Sequence, residues 1–187
     1  MAKGEEKKLE RNFFRSIKPY TKLYDIKIEP RLMILSDTTF LPRKGDFQLS
    51  FGFSQVDLAL YKELTINNIT EIKNNIKFIR SSGNTLNVPL ICFELKSGNI
   101  TSDAIRARNH IADGIKSIYP FTYYVFLAEN TSKQNDTVYR QGKHFTHFYI
   151  SPKKFNNKDF DYIKKSIVEP LLNNLCSNEL IKKVREN

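Results

Sequence analysis

Val88-Pro89-Leu90-Ile91-Cys92-Phe93-Glu94-Leu95-Lys96 is the stretch on which the reading of this chain turns. An apolar run that reads as a buried strand ends in a carboxylate and, two residues on, a lysine. Residues two apart on a strand point to the same face, so Glu94 and Lys96 share one. A second run, Phe51-Gly52-Phe53-Ser54-Gln55-Val56-Asp57-Leu58-Ala59-Leu60, reads as another buried strand and carries Asp57. Ionised groups among apolar strands are costly unless something pairs with them. A metal ion supplies that partner, and two hard oxygen ligands suit Mg²⁺ or Mn²⁺. Glu94 then holds the ion while Lys96 reaches the water or phosphate beside it.

The elements around these runs follow from periodicity. Residues 5–17 predict a helix with Leu9, Phe13 and Ile17 on one face. Glu6 and Glu10 lie on or beside that face, and Pro19 is expected to end the helix. Segments 22–29 and 31–36 read as strands, Thr38 to Asp46 as a loop, and Phe47 to Tyr61 as one or two strands. Apolar residues at 66, 69, 72, 76 and 79 predict a helix, part of a helical insertion at about 62–87. Thr101 or Ser102 caps a helix running to about Tyr119, with an apolar stripe of Ala104, Ile111, Ile115 and Ile118. Arg108 falls inside that stripe, where a guanidinium needs an anion; the active-site phosphate or carboxylates are the nearest candidates, and the alternative is an arginine that snorkels at the stripe's edge. Tyr123 to Ala128 is a continuous apolar run suited to a central strand covered on both faces. A polar loop at 130–142, a strand at 145–150 and C-terminal helices within about 157–187 complete a single domain of 187 residues.

The formal net charge is +10, with 30 Lys and Arg against 20 Asp and Glu, which favours a polyanionic partner. Cys92 and Cys176 are the only cysteines, and no Cys/His cluster has zinc spacing. His144 and His147, three apart in a strand-like run, face opposite ways and make poor joint ligands. No Gly-x-x-x-x-Gly-Lys phosphate loop occurs. No apolar stretch is long enough to span a bilayer and no secretory signal is legible, so an intracellular, cytoplasmic protein is expected.

Val56-Asp57-Leu58-Ala59-Leu60, Cys92-Phe93-Glu94-Leu95-Lys96-Ser97 and the helix and apolar strand that follow resemble the PD-(D/E)XK nuclease superfamily, the fold of many restriction endonucleases and archaeal Holliday junction resolvases. Val56 stands where the family name has proline. The 36 residues 58–93 between the two carboxylates are a long gap, so the segment must loop out and return. The resemblance implies an α/β, restriction endonuclease-like fold, a mixed central sheet flanked by helices. It implies that Asp57, Glu94 and the Leu95 carbonyl coordinate Mg²⁺ (or Mn²⁺), with Lys96 orienting or deprotonating the attacking water. Glu10 on the first helix is a further catalytic candidate, ahead of Glu6. The implied activity is divalent-metal-dependent phosphodiester hydrolysis by a DNA endonuclease of resolvase or restriction type, working as a homodimer. Arg106, Arg108, Lys153, Lys154, Lys164 and Lys165 are the candidate nucleic-acid contacts. The alternative is a nuclease-fold protein that binds nucleic acid without cutting it.

Overall fold

A computed structural model describes residues 2–43, 46–65, 85–129, 131 and 140–177. The chain begins with helix α1 (Ala2–Leu23), followed by strands β1 (Lys27–Pro30), β2 (Met33–Arg43), β3 (Asp46–Gln55), β4 (Leu58–Thr65) and β5 (Thr85–Ser97). Helix α2 (Ser102–Ile118) crosses to β6 (Tyr123–Glu129) and β7 (His147–Ile150). Helices α3 (Asn157–Ile163) and α4 (Glu169–Ser177) close the described chain, joined by a π-helical turn at Lys164–Val168.

Five strands form one mixed sheet in the order β1-β4-β5-β6-β7, flanked by helices, and β2 pairs with β3 in a separate ribbon. β4 is antiparallel to β1 and β5, whereas β5, β6 and β7 run parallel. The apolar runs explain the centre: Ile91, Cys92 and Phe93 of β5, and Tyr124, Val125, Leu127 and Ala128 of β6, are wholly buried. One face packs Leu58, Leu60, Phe93 and Leu127 against Leu9, Phe13 and Ile17 of α1 and the apolar side of α3 and α4. The other packs Ala59, Cys92, Tyr124 and Phe126 against Ile105, Ala112 and Ile115 of α2 and Ile34 and Leu35 of β2. Each such wholly buried large side chain contributes about 1.5–3 kcal/mol of transfer free energy. Among the described residues no helix is long and apolar enough to cross a membrane.

Four expectations need correction. First, α1 does not stop before Pro19 but runs to Leu23. Losing one backbone hydrogen bond there is offset by packing beyond it, where Tyr20 donates to Glu169 and Tyr24 to Asn173 of α4. Second, of the loop expected at Thr38 to Asp46, Thr38 to Arg43 is strand: β2 continues to Arg43, which pairs with Asp46. Pro42 is tolerated since both strands of a two-stranded ribbon are edges. Third, the run Phe51 to Leu60 is not one strand: it breaks after Gln55, and Asp57 sits between the ribbon and β4. Fourth, the insertion at about 62–87 is flanked by strand rather than helix. Leu58 pairs with Phe93 and Thr65 with Thr85, so β4 and β5 run out and back and return Glu94 beside Asp57. The helix expected at 66–80 lies outside the described residues.

Smaller shifts follow the same logic. The buried face of α2 is Ile105, Ala112 and Ile115, rotated from the expected stripe, with Arg108 still central to it. Thr101 caps α2 by accepting a hydrogen bond from the Ala104 amide. Gly114 of α2 lets the β2 backbone come close: a β-carbon there would lie 2.5 Å from the Ser36 carbonyl oxygen. That contact seats the base of the ribbon on α2.

Candidate functional site

The strand register that pairs Leu58 with Phe93 puts Asp57 and Glu94 at the place where β4 and β5 part. β5 runs on past the start of β4, so the Leu95 amide has no β4 partner and donates instead to Asp57 Oδ2 at 2.8 Å. Asp57 is thereby fixed against the strand that carries Glu94, close enough for its charge to act on the Glu94 carboxyl. The Asp57 carbonyl accepts from the Arg31 amide at 2.9 Å, which ties this corner to the turn between β1 and β2. Arg31 itself holds φ of 57°, a left-handed conformation uncommon for a side chain of its size.

Glu94 is 3% exposed. Arg108 of α2 places Nε 2.6 Å from Glu94 Oε1. The other oxygen, Oε2, is buried without a hydrogen-bond partner among the described residues. Burial pushes the Glu94 carboxyl well above the usual carboxylate range, and the Asp57 charge and hydrogen bond push the same way. Arg108 and Lys96 oppose them without cancelling them. Such a carboxyl is an acid in want of a cation. Below it on the same face of β5, the Cys92 thiol is wholly buried and raised by desolvation, so it is packing and not a nucleophile.

An open pocket of about 430 Å³ lies over these groups. Glu6, Lys7 and Glu10 of α1 form one wall, Arg31 and Gln55 from the ribbon base a second, Ala104 and Arg108 of α2 a third, and Asp57 with Glu94, Leu95 and Lys96 the floor. Lys96 is ion-paired with Glu6. Glu10 meets Arg31, whose guanidinium is 3.5 Å from its carboxylate. Asp57, Glu94, Leu95, Lys96, Glu10 and Arg108 therefore all line one cavity. Among the described residues no group of three or more His, Cys, Asp or Glu side chains is set to hold a metal; Glu6 and Glu10 are ion-paired with Lys96 and Arg31. The donors that converge are the Asp57 and Glu94 carboxyls, an all-oxygen pair of the kind hard cations take.

The remaining expected residues lie away from the pocket lining. Arg106 is exposed on the outer side of α2, 3.6 Å from Asp103. Lys154 is ion-paired with Glu5, and Lys164 lies 2.6 Å from Asp161. Lys153 and Lys165 are exposed. His144 lies 3.2 Å from Asp113, and His147 is exposed on β7, so the two share no ligand site. Arg31, Gln55 and Lys7 line the site without having been singled out from sequence. Arg31 had one legible signal, its place straight after Pro30 at the junction of two strand-like segments. Gln55 had none, because its position depends on the ribbon.

No family model matches the chain, and no curated protein matches it. Among solved structures the chain is similar to a chain of the native BbvCI A2B2 tetramer, a restriction endonuclease, at 16% identity and a TM-score of 0.46. The match covers 84% of this chain and 59% of that one, so the chain spans less than two thirds of that neighbour's length.

Proposed function

We propose that this chain is a divalent-metal-dependent nuclease that hydrolyses phosphodiester bonds, a DNA endonuclease of the resolvase or restriction type. The observation that carries the reading is the buried Glu94 Oε2, which lacks a hydrogen-bond partner among the described residues and lies beside the Asp57 carboxyl in a pocket that also holds Lys96 and Arg108. The Leu95 carbonyl is the third donor: a strand residue's C=O points to the same edge as its own N–H, and that N–H meets Asp57. Oxygen donors of this kind fit Mg²⁺ or Mn²⁺. When bound, such an ion lowers the pKa of a coordinated water and neutralises charge developing on the phosphate.

The chain's own residues do the rest. Glu94 would serve as a ligand in its ionised form. Arg108 keeps its carboxylate oriented and faces the pocket with charge that suits a phosphate. Lys96 orients or deprotonates the attacking water once it leaves Glu6. Glu10 stands at the rim as a further acid. Arg106, Lys153, Lys154, Lys164 and Lys165 add charge for phosphate contacts, which hold a duplex without reading its bases. Symmetric cutting of two strands calls for two sites, hence a homodimer.

The test is an incubation of the purified chain with supercoiled plasmid, single strands and a four-way junction, in Mg²⁺, in Mn²⁺ and in EDTA. Divalent-dependent cleavage that is lost in Asp57→Asn supports the proposal. Tight binding with no cleavage in either metal would leave the nuclease-fold binding protein as the reading.

A further inference from the structure

The charges of α1 are sorted by face. At 100° per residue, Lys7, Lys8, Arg11, Arg15, Lys18 and Lys22 fall within an arc of about 100° that lies opposite Leu9, Phe13 and Ile17. All six cations are exposed. Among the described residues none of them forms an ion pair, whereas every carboxylate of α1 does, each with a cation from another element: Glu5 with Lys154, Glu6 with Lys96, Glu10 with Arg31. α1 carries no acid after Glu10, so the arc is unbroken positive charge. From Lys8 to Lys22 it runs about 21 Å at 1.5 Å per residue.

The arc opens into the site. A groove of about 320 Å³ between α1 and the β1–β2 turn is lined by Lys7, Glu10, Arg11, Phe14, Pro30 and Arg31. It shares Lys7, Glu10 and Arg31 with the pocket over Asp57 and Glu94. Phe14 gives the groove an aromatic wall, and Lys18 Nζ stands 5.9 Å from the centre of that ring. Cations interleaved with an aromatic in a groove that leads to a site is how a protein tracks a nucleic-acid strand. The left-handed Arg31 backbone is held where the two cavities meet, and its guanidinium is about half exposed.

We propose that one nucleic-acid strand lies along this face of α1, its phosphates on Arg11, Arg15 and Lys18, and turns into the pocket past Arg31, which exchanges Glu10 for a phosphate. The inference rests on the nuclease reading for where the strand leads, but not for whether it binds.

The experiment measures binding without cleavage, by fluorescence anisotropy of a labelled duplex and its single strand in EDTA over a range of KCl. The triple variant Arg11→Gln/Arg15→Gln/Lys18→Gln is set against Lys27→Gln/Lys143→Gln/Lys158→Gln, which loses the same charge from exposed positions elsewhere. The α1 triple should reduce the slope of log affinity against log salt by about 2–3 units, near 0.7–0.9 per lost phosphate contact. The control triple should change it by less than about one unit. Equal slopes for both triples, or no salt-dependent binding by the wild type, overturn the track. A wild type that cleaves in Mg²⁺ while the α1 triple keeps its slope removes the track and leaves the nuclease reading. A slope that falls as expected in a protein that never cleaves does the reverse.

Discussion

The β4–β5 pair and the β2–β3 ribbon are both long antiparallel pairings, but they dispose of their polar groups in opposite ways. In the ribbon, Ser36 and Ser54 hydrogen-bond across the strands at 2.8 Å and Thr39 donates to Asp37. Its apolar surplus, Met33 and Phe53, faces water. The centre of the β4–β5 pair is covered on both sides, and at its pocket end Asp57 accepts from a backbone amide while Glu94 keeps a buried oxygen without a protein partner among the described residues. Among the described residues, one region is frustrated at a single place and the other nowhere. Burial makes the difference, since the same carboxylate on the ribbon would be solvated at little cost.

Substitutions can break that contrast. Glu94→Gln should lower divalent-dependent cleavage by at least about 10²-fold, as loss of one group aimed at developing charge does elsewhere. Plasmid nicking rates check it. Arg108→Met should cost about 10–100-fold in cleavage, the scale for a residue that orients a metal ligand, with a far smaller loss of Tm. Arg108→Lys should recover only part of it because the planar fork is gone. On the ribbon side, Gly114→Val drives a β-carbon into the Ser36 carbonyl. It should cost ~1–3 kcal/mol by overpacking, read by urea unfolding.

Proton linkage sharpens the contrast further. In EDTA the folded chain holds the Glu94 proton more tightly than the unfolded chain, because burial and Asp57 raise that pKa above 4.5. Stability from this source is complete below the unfolded pKa and is lost as pH rises through the folded one. Glu94→Gln removes the titration, so its stability should gain on the wild type as pH rises above about 4.5, by ~1.4 kcal/mol for each pH unit until the folded pKa is passed. Urea unfolding across that pH range reads the gap, and a gap that is flat with pH contradicts the burial argument. The smallest effect belongs to Met33→Thr on the exposed ribbon face, within ~0.5 kcal/mol of wild type and with unchanged cleavage.

The β5 strand, α2 with its Thr101 cap, and β6 were legible because each carries its own period and its own stop signal. So was the direction of Arg108, since a guanidinium on the buried face of α2 has one anion in reach. The ribbon was not legible. Pro42 reads as loop by local chemistry, and only pairing with β3 overrides it. The choice between Glu6 and Glu10 was equally hidden: both flank the buried face of α1, and which of them meets Lys96 is set by how α1 docks on the sheet. Asp57 was assigned to the wrong element, because nothing in an apolar run marks the residue at which a strand leaves one sheet for another.

The most direct test of the central claim is the position of Mn²⁺ in crystals of the protein soaked in MnCl₂, read from anomalous scattering. A peak held between the Asp57 and Glu94 carboxylates is the predicted result. A protein that cleaves in Mn²⁺ yet shows its peak elsewhere, or none at that corner, would contradict it.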